Sequence, residues 1–133
     1  MNSIALAVEN LDAMVAWYET MFGLNVAERG QFVAVGANYA MLDGAGVRLE
    51  LVSRTDTLKR PVDRTVPPKH LDVLGWKALV LDSDDLAATT AGLIERRAEV
   101  VWADLQLSPS LRSTMIRDPE GNLINILGHT VPA

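Results

Sequence analysis

Two polar side chains interrupt apolar, strand-like segments and are the first candidates for chemistry. Glu50 lies in VRLELV and Asn125 lies in LINIL, 75 positions later. Asparagine is a poor strand former, and an amide that faces a core needs partners for its donors and its acceptor. We therefore expect Asn125 either to face a wet pocket or to occupy a position whose original role has been lost.

Other residue types that carry chemistry are few. The chain has no cysteine, so it has no disulfide, no thiol nucleophile and no cysteine metal site. Its two histidines, His70 and His129, are expected to be structural or at the surface, and the alternative is a non-standard metal site such as His129 with Glu50. The sequence contains no Walker loop, Rossmann glycine fingerprint, HExxH motif or nucleophile elbow. Trp17 and Trp102 are expected to lie in the core or in an interface.

Length and charge limit the class of protein. A chain of 133 residues predicts a single domain, 1–133. With 17 acidic and 12 basic residues the formal charge is −5, which argues against nucleic acid as a partner and modestly favours a cationic ligand. The N-terminal segment lacks a basic region, and no apolar run approaches the roughly 20 residues of a membrane span. We expect a cytoplasmic protein with no signal peptide and no membrane partner.

Hydrophobic periodicity predicts the same order of elements twice. A first helix over 11–22 follows a cap at Asn10 or Asp12, and a second begins at Asp84 or Asp85 and ends near Arg97. Alternation and turn residues predict strands over 3–8, 25–36, 38–42, 47–52, 75–81, 100–103, 113–117 and 122–127. The segment 54–74, rich in proline and basic residues, is predicted to be a linker that is either solvated or grips an anion.

An approximate repeat of 75 positions supports this pattern. Three pairs of residues share the offset: Leu11 with Leu86, Val26 with Val101, and Glu50 with Asn125. The sequence therefore predicts an α+β fold of two βαβββ modules, 1–53 and 75–129, joined by the linker.

Four segments in this order resemble the vicinal oxygen chelate superfamily. They are SIALAVENLDAMVAWYETMFGLNV, VRLELV, LGWKALVLDSDDLAATTAGL and IRDPEGNLINI, of which the DP-x-GN turn is the most specific. That superfamily contains glyoxalase I, bleomycin-resistance proteins, extradiol dioxygenases, fosfomycin-resistance enzymes and methylmalonyl-CoA epimerase. The resemblance covers nearly the whole chain. It implies that the two modules form a cup-shaped mixed sheet and that the protein is a homodimer.

The resemblance also points to four positions that face the cup. Metal-binding members place His, Glu or Gln there, one from the first and one from the last strand of each module. The matching residues are Ser3, Glu50, Trp76 and Asn125. Serine is a poor ligand, indole nitrogen only donates, and an amide oxygen is a weak substitute for a carboxylate. We therefore expect no metal and no other cofactor.

The leading hypothesis is a small-molecule-binding protein of the bleomycin-resistance kind. Trp76 is expected to form a flat wall for the ligand, with polar contacts from Ser3, Glu50 and Asn125. Alternation places Arg48 on the same face. Arg112, which follows a turn, could also point into the cup, where the two arginines could clamp a ligand carboxylate. The structural alternative pairs Glu50 with Arg48 or Arg112. Tyr39 could reach the cup, but a structural role is expected for it.

Three other functions stay open at this stage, so the sequence does not decide whether the protein is an enzyme. The first is a lyase, isomerase or epimerase in which Glu50 is the general base. The second is a metal-dependent glyoxalase or dioxygenase with an atypical ligand set. The third is an interaction module without a ligand. The identity of the ligand, and whether one chain or two complete the cup, are likewise open.

Overall fold

The computed structural model describes residues 2–59 and 63–130, and the chain divides into two compact units, Met1–Arg60 and Pro61–Ala133. Residues 60–62 of the predicted linker lie outside the described residues. The elements of the first unit are β1 (Ser3–Ala7), α1 (Leu11–Phe22), β2 (Asn25–Phe32), a 3-10 turn (Val33–Val35), β3 (Ala37–Gly44) and β4 (Val47–Ser53).

The second unit begins with a 3-10 turn inside the predicted linker and then repeats the order of the first. Its elements are the 3-10 turn (Lys69–Asp72), β5 (Ala78–Ser83), α2 (Leu86–Glu95), β6 (Glu99–Ser108), β7 (Leu111–Arg117) and β8 (Leu123–His129). The two predicted βαβββ modules of an α+β fold are confirmed.

Each unit contains one mixed four-stranded sheet. The strand orders are β1-β4-β3-β2 and β5-β8-β7-β6, so the first strand of each unit lies parallel to the last and the other neighbours are antiparallel. The registers match as well. Ala5 pairs with Glu50 and Val80 pairs with Asn125, and each pair is separated by 45 positions. Glu50 and Asn125 therefore occupy equivalent places in the repeat.

The helix of each unit packs on one face of its sheet. In the first unit, Leu49 and Leu51 of β4 are 2% and 0% exposed, whereas Arg48 and Glu50 between and beside them are only half-buried. In the second unit, Ile124 and Ile126 of β8 are buried and Asn125 is half-buried. Because successive strand residues point to opposite faces, the leucines and isoleucines line the helix side and Glu50 and Asn125 point away from it.

Side-chain caps decide where the helices begin. Asn10 Oδ1 accepts from the Ala13 amide and Asp85 Oδ1 accepts from the Ala88 amide, each at 3.0 Å. Each bond satisfies one of the amides that have no partner inside the first turn. Of the two caps proposed for each helix, Asn10 and Asp85 are therefore the ones used, and they too lie 75 positions apart.

The largest differences from the predicted strand bounds are in β2 and β6. β2 ends at Phe32 rather than at residue 36, because the chain turns through a 3-10 turn that closes on Gly36 in the left-handed region, at φ 63°. β6 extends to Ser108 rather than 103. Its pairing with β7 continues past irregularities near Trp102 and Leu105, which the short apolar run at 100–103 did not reveal.

The first strand of the second unit also starts later than predicted. β5 begins at Ala78, which pairs with Leu123, the first residue of β8. The residues just before β8 form a turn that is held by Asp118. Its Oδ1 accepts from the Glu120 and Asn122 amides at 3.0 and 2.9 Å. Trp76 therefore has no strand partner, and its predicted place in the strand is wrong.

No helix among residues 2–59 and 63–130 is long and apolar enough to cross a bilayer.

The two faces of the second sheet predict unequal losses of stability for two aliphatic truncations, one in β8 and one in the neighbouring strand β5. We expect Ile124→Ala to lower the free energy of unfolding by about 2–5 kcal/mol, because its side chain is fully buried. Val80→Ala, on the opposite face and 53% exposed, should cost less than about 1 kcal/mol. Urea unfolding followed by circular dichroism measures both, and equal losses would contradict the assignment of the two faces.

Candidate functional site

A row of four side chains crosses the first sheet on the side away from α1. The register pairs Ala5 with Glu50, Glu50 with Met41, and Met41 with Glu28. Paired residues of neighbouring strands point to the same face, so these four define what we call the Glu50 face. Two carboxylates therefore lie in one row, two strands apart.

Glu50 is the unpaired member of this face. Its side chain is half-buried, and within the described part of the chain it makes no hydrogen bond and no ion pair. The neighbouring cation, Arg48, instead donates from Nε and from its terminal nitrogen to Asp43 at 2.7 and 2.9 Å. The structural alternative of a pair between Glu50 and Arg48 is thus not observed.

The Arg48–Asp43 pair is a cross-strand contact between register partners. The hydrogen bond from Arg48, together with its charge, holds the pKa of Asp43 below its usual range, although partial burial acts against this. Arg48 lies on the Glu50 face as alternation predicts, but its charge is compensated. Ser3 pairs with Arg48 and is exposed on the edge strand β1, two positions before the partner of Glu50.

Tyr39 also lies on the Glu50 face, although the sequence favoured a structural role for it over a place in the cup. Its hydroxyl donates to Glu28 Oε1 at 2.5 Å, and its ring stacks on Phe32 with centroids 4.0 Å apart and planes at 9°. Gly30, its register partner, makes room, since a Cβ there would lie 3.1 Å from the phenol oxygen. The bond to Glu28, followed by burial and the charges of Glu28 and Glu50, raises the pKa of Tyr39. The phenol therefore stays protonated and donates a hydrogen bond to Glu28.

The second sheet carries the equivalent row with different chemistry. Val80 pairs with Asn125, Asn125 with Met115, and Met115 with Trp102, and these define the Asn125 face. The Trp102 indole N–H donates to Ser113 Oγ at 2.9 Å, and the Ser113 hydroxyl donates to Asn125 Oδ1. The amide in the middle of β8 is thus anchored by a hydrogen-bond chain across three strands.

Two predicted ligand contacts do not lie on the Asn125 face. Trp76 precedes β5 and is fully exposed, at 100%. Arg112 pairs with Gly128 and shares the opposite side of β7 with Thr114, which bonds to Thr90 of α2 at 2.6 Å. On that side the Nε of Arg112 donates to Asp104 Oδ1 at 2.6 Å. Alternation along β7 therefore separates Arg112 from Asn125.

The histidines have separate environments. His129 is exposed, and its Nε2 lies 3.2 Å from Asp82 Oδ1. His70, in the 3-10 turn before β5, is 5% exposed, and its Nδ1 has no hydrogen-bond partner within the described residues. His70 is therefore a buried histidine of the second unit.

The four residues at the positions suggested by the resemblance do not fit a divalent metal. Glu50 is the one strong ligand among them, since Ser3, Trp76 and Asn125 offer a hydroxyl, an indole and an amide whose oxygen already accepts from Ser113. Across residues 2–59 and 63–130, no group of three or more His, Asp or Glu side chains is arranged to hold a metal ion.

Sequence reasoning missed four residues that shape these faces: Glu28, Tyr39, Trp102 and Ser113. Each lies on the same side as Glu50 or Asn125 once the antiparallel registers are known. Alternation from Asn125 back through β7 would have indicated Ser113. The signal for Glu28 and Trp102 was hidden, because irregular pairing in β2 and β6 shifts the register.

Comparisons with known proteins give a consistent result. A family model described as the Glyoxalase/Bleomycin resistance protein/Dioxygenase superfamily matches residues 1–126. A protein of Mycolicibacterium smegmatis, named only as uncharacterized, is 34% identical over 107 residues, which cover 73% of this chain and 79% of that protein.

Solved structures share the fold. A glyoxalase family protein from Bacillus cereus superposes with a TM-score of 0.74 at 23% identity, covering 98% of this chain and 94% of that one. A glyoxylase/bleomycin resistance protein/dioxygenase domain from Frankia sp. EAN1pec gives 0.77 at 18% identity, with 98% and 97% covered. TioX from Micromonospora sp. ML1 gives 0.68 at 25% identity, with 96% and 97% covered.

The Tyr39–Glu28 bond predicts a measurable titration. In a Tyr18→Phe background, which leaves one of the two tyrosines, Tyr39 should ionise above its ordinary value of 10.0. Glu28→Ala should bring the pKa down towards that value, and Glu50→Gln should lower it less. Because the folded-state pKa is raised, this contribution to stability is present below pH 10 and is lost as the pH rises through the folded value. Tyrosinate absorbance measures the shift, and an unchanged pKa in Glu28→Ala would contradict the bond.

Proposed function

We propose that this chain, which belongs to the glyoxalase/bleomycin resistance protein/dioxygenase superfamily, binds a small molecule through the carboxylate of Glu50 without a metal ion. The observation that carries the proposal is the state of Glu50, half-buried on a sheet face and without a partner among the described residues. A half-buried carboxylate has lost part of its hydration, so a hydrogen-bond donor or a cation on a ligand would stabilise it more than it would stabilise a fully exposed carboxylate.

The charges of the Glu50 face favour a cationic group on the ligand. Asp43 compensates Arg48, so the arginine does not neutralise Glu50. Glu28 lies in the same row and adds a second negative charge, and the chain as a whole carries −5. An ammonium or amidinium group is therefore the expected partner of Glu50, and a carboxylate clamp by Arg48 and Arg112 is not supported.

Direct binding without a metal is supported by the donor set. Three of the four family positions hold residues that are poor or incapable metal ligands, and Asn125 has its amide oxygen engaged by Ser113. In the first unit Ser3, exposed beside Arg48, remains a proposed contact for a polar group of a ligand. In the second unit Trp76, whose indole is fully exposed, remains a proposed contact for a planar group.

A second candidate is proton abstraction, because a carboxylate without a partner is also what a general base requires. On the Glu50 face the single phenol proton of Tyr39 is already donated to Glu28, and the charge of Arg48 is compensated by Asp43. An enolate formed beside Glu50 would therefore have no donor from Tyr39 and no uncompensated positive charge from Arg48. Binding is ranked first for this reason.

Incubation of carbonyl compounds with the protein in D₂O separates binding from proton abstraction. Only an enzyme would exchange the α-protons of these compounds and lose that activity in Glu50→Gln.

We also propose that the protein is a homodimer. The support is an exposed apolar segment in the second unit, which we call the 66–76 segment. Its exposed apolar members are Val66, Leu71, Val73, Leu74 and Trp76. Clustered exposed apolar side chains of this kind commonly mark a protein interface.

Binding at Glu50 predicts the response to a simple cationic probe. In a ¹H–¹⁵N NMR titration, benzylammonium should shift the backbone amides of Met41, Glu50 and Leu51. We expect Glu50→Gln to weaken this binding roughly 10-fold or more, because a charge-assisted hydrogen bond is lost. Glu19→Gln, an exposed glutamate on α1, removes the same charge elsewhere and serves as the matched control. Equal binding by the wild type and Glu50→Gln would contradict the proposal.

The dimer proposal predicts a difference between two equally exposed leucines. Leu58 and Leu74 are both 95% exposed, but only Leu74 lies in the 66–76 segment. Leu74→Ser should raise the dimer dissociation constant at least several-fold, whereas Leu58→Ser should leave it unchanged. Sedimentation equilibrium measures both, and a wild-type monomer at high concentration would exclude the dimer.

A further inference from the structure

We propose that Trp102 and Ser113 are positioning residues that fix the Asn125 amide with its NH₂ group free, so that the Asn125 face is a hydrogen-bond donor site. The group it would take is a carbonyl or other uncharged acceptor oxygen on the ligand. This deepens the proposed function and rests on it only in assuming that a ligand binds.

The direction of the hydrogen-bond chain follows from its first member. An indole nitrogen can only donate, so Ser113 Oγ must accept from Trp102 Nε1. The serine hydroxyl has one proton of its own, and Ser113 is fully buried, at 0% exposure. Across the described residues the acceptor that this proton reaches is Asn125 Oδ1. The chain therefore runs from Trp102 through Ser113 to the amide oxygen.

The reverse orientation of the amide is disfavoured for the same reason. If Asn125 turned its NH₂ group towards Ser113, the serine oxygen would receive two donors and its own buried proton would have no acceptor. A buried hydroxyl proton without an acceptor is destabilising, because it has lost its hydrogen bonds to water. The network thus selects one of two amide orientations that are otherwise nearly equivalent in shape.

The selected orientation leaves two N–H donors on Asn125 Nδ2. Within the described residues they have no acceptor, and the side chain is half-buried. Val80, Leu123 and Leu127 share its face, so the surroundings of the amide are apolar. A ligand oxygen that meets these donors would gain specificity, because an oxygen-free analogue would leave them unpaired.

The equivalent pair in the first sheet shows that this polarity is specific to Asn125. Tyr39 occupies the register position that matches Ser113, but its hydroxyl proton goes to Glu28 on the outer strand rather than to Glu50. The two matching positions therefore carry opposite hydrogen-bonding capacity. Among residues 2–59 and 63–130, Glu50 is an acceptor without a donor, and the Asn125 NH₂ group is a donor without an acceptor.

The test compares two probes of the same shape. Acetophenone carries a carbonyl oxygen, and α-methylstyrene replaces that oxygen with a CH₂ group. In ¹H–¹⁵N spectra of the full-length protein, acetophenone should bind roughly 3- to 10-fold more tightly, as judged by shifts of the Asn125 side-chain NH₂ signals. The amide of Asn122 is an internal control, because its Nδ2 already donates to both oxygens of Asp118 at 3.1 and 2.9 Å.

Two variants test the positioning role. Trp102→Phe frees Ser113 to accept from the amide instead, so the preference for acetophenone should fall at least 3-fold while Asn125 itself is retained. Ser113→Ala should have the same effect and should also speed solvent exchange of the Trp102 indole N–H. Trp17→Phe, which alters a half-buried tryptophan of the first unit, should leave the preference intact. Thermal unfolding of each variant confirms that the fold is kept.

Every outcome decides the inference. A preference that Trp102→Phe abolishes and Trp17→Phe preserves supports it. Equal shifts by the two probes, no shift at Asn125, or a preference unchanged in Trp102→Phe would overturn it. Its failure is distinguishable from failure of the proposed function, because benzylammonium reports on Glu50 through different signals of the first unit.

Discussion

The parallel pairing of the first and last strands is the constraint on which both candidate faces depend. In each unit the partner lies 45 positions along the chain, and everything between them forms the helix and two antiparallel strands. This pairing fixes which residues of the last strand point away from the helix. If the last strand slipped by one residue, Glu50 and Asn125 would turn towards the helix, and the neighbouring leucines and isoleucines would turn away from it. Such a slip would expose apolar surface that is now buried, which is strongly unfavourable. The apolar face that stabilises each unit thus also positions its polar residue.

Against this common backbone the side chains separate the two units chemically. In the first sheet Tyr39 bonds to Glu28 and Arg48 bonds to Asp43, and Glu50 has no partner within the described part of the chain. In the second sheet a chain of donors ends on Asn125, whose oxygen accepts from Ser113 and whose NH₂ group has no acceptor within that part. Which donors and acceptors of a polar residue are available to a ligand therefore depends on the hydrogen bonds that its neighbours already make with it. We propose that the Glu50 face recognises a cationic group and that the Asn125 face recognises an uncharged acceptor oxygen.

Sequence reasoning reached the fold because the hydrophobic pattern is repeated and the caps are explicit. It selected Glu50 and Asn125 because both lie inside apolar strands and share the repeat. It failed at Trp76, because a short apolar run does not show where its strand partner begins, and here the Asp118 turn delays the partner to Leu123. It left Arg112 just before the strand predicted over 113–117, whereas β7 begins at Leu111 and alternation along it separates Arg112 from Asn125. It could not anticipate the Trp102–Ser113–Asn125 chain, because irregular pairing in β6 decides which side chains meet.

We propose that Glu50 meets its ligand directly and not through a metal. The most direct measurement is the metal content of tag-free protein by mass spectrometry after gel filtration, before and after addition of Ni²⁺, Zn²⁺, Mn²⁺ or Fe²⁺. We predict far less than one metal ion per chain under every condition, with no difference between the wild type and Glu50→Ala. Near-stoichiometric metal that is lost in Glu50→Ala would contradict the account and assign Glu50 to a metal centre.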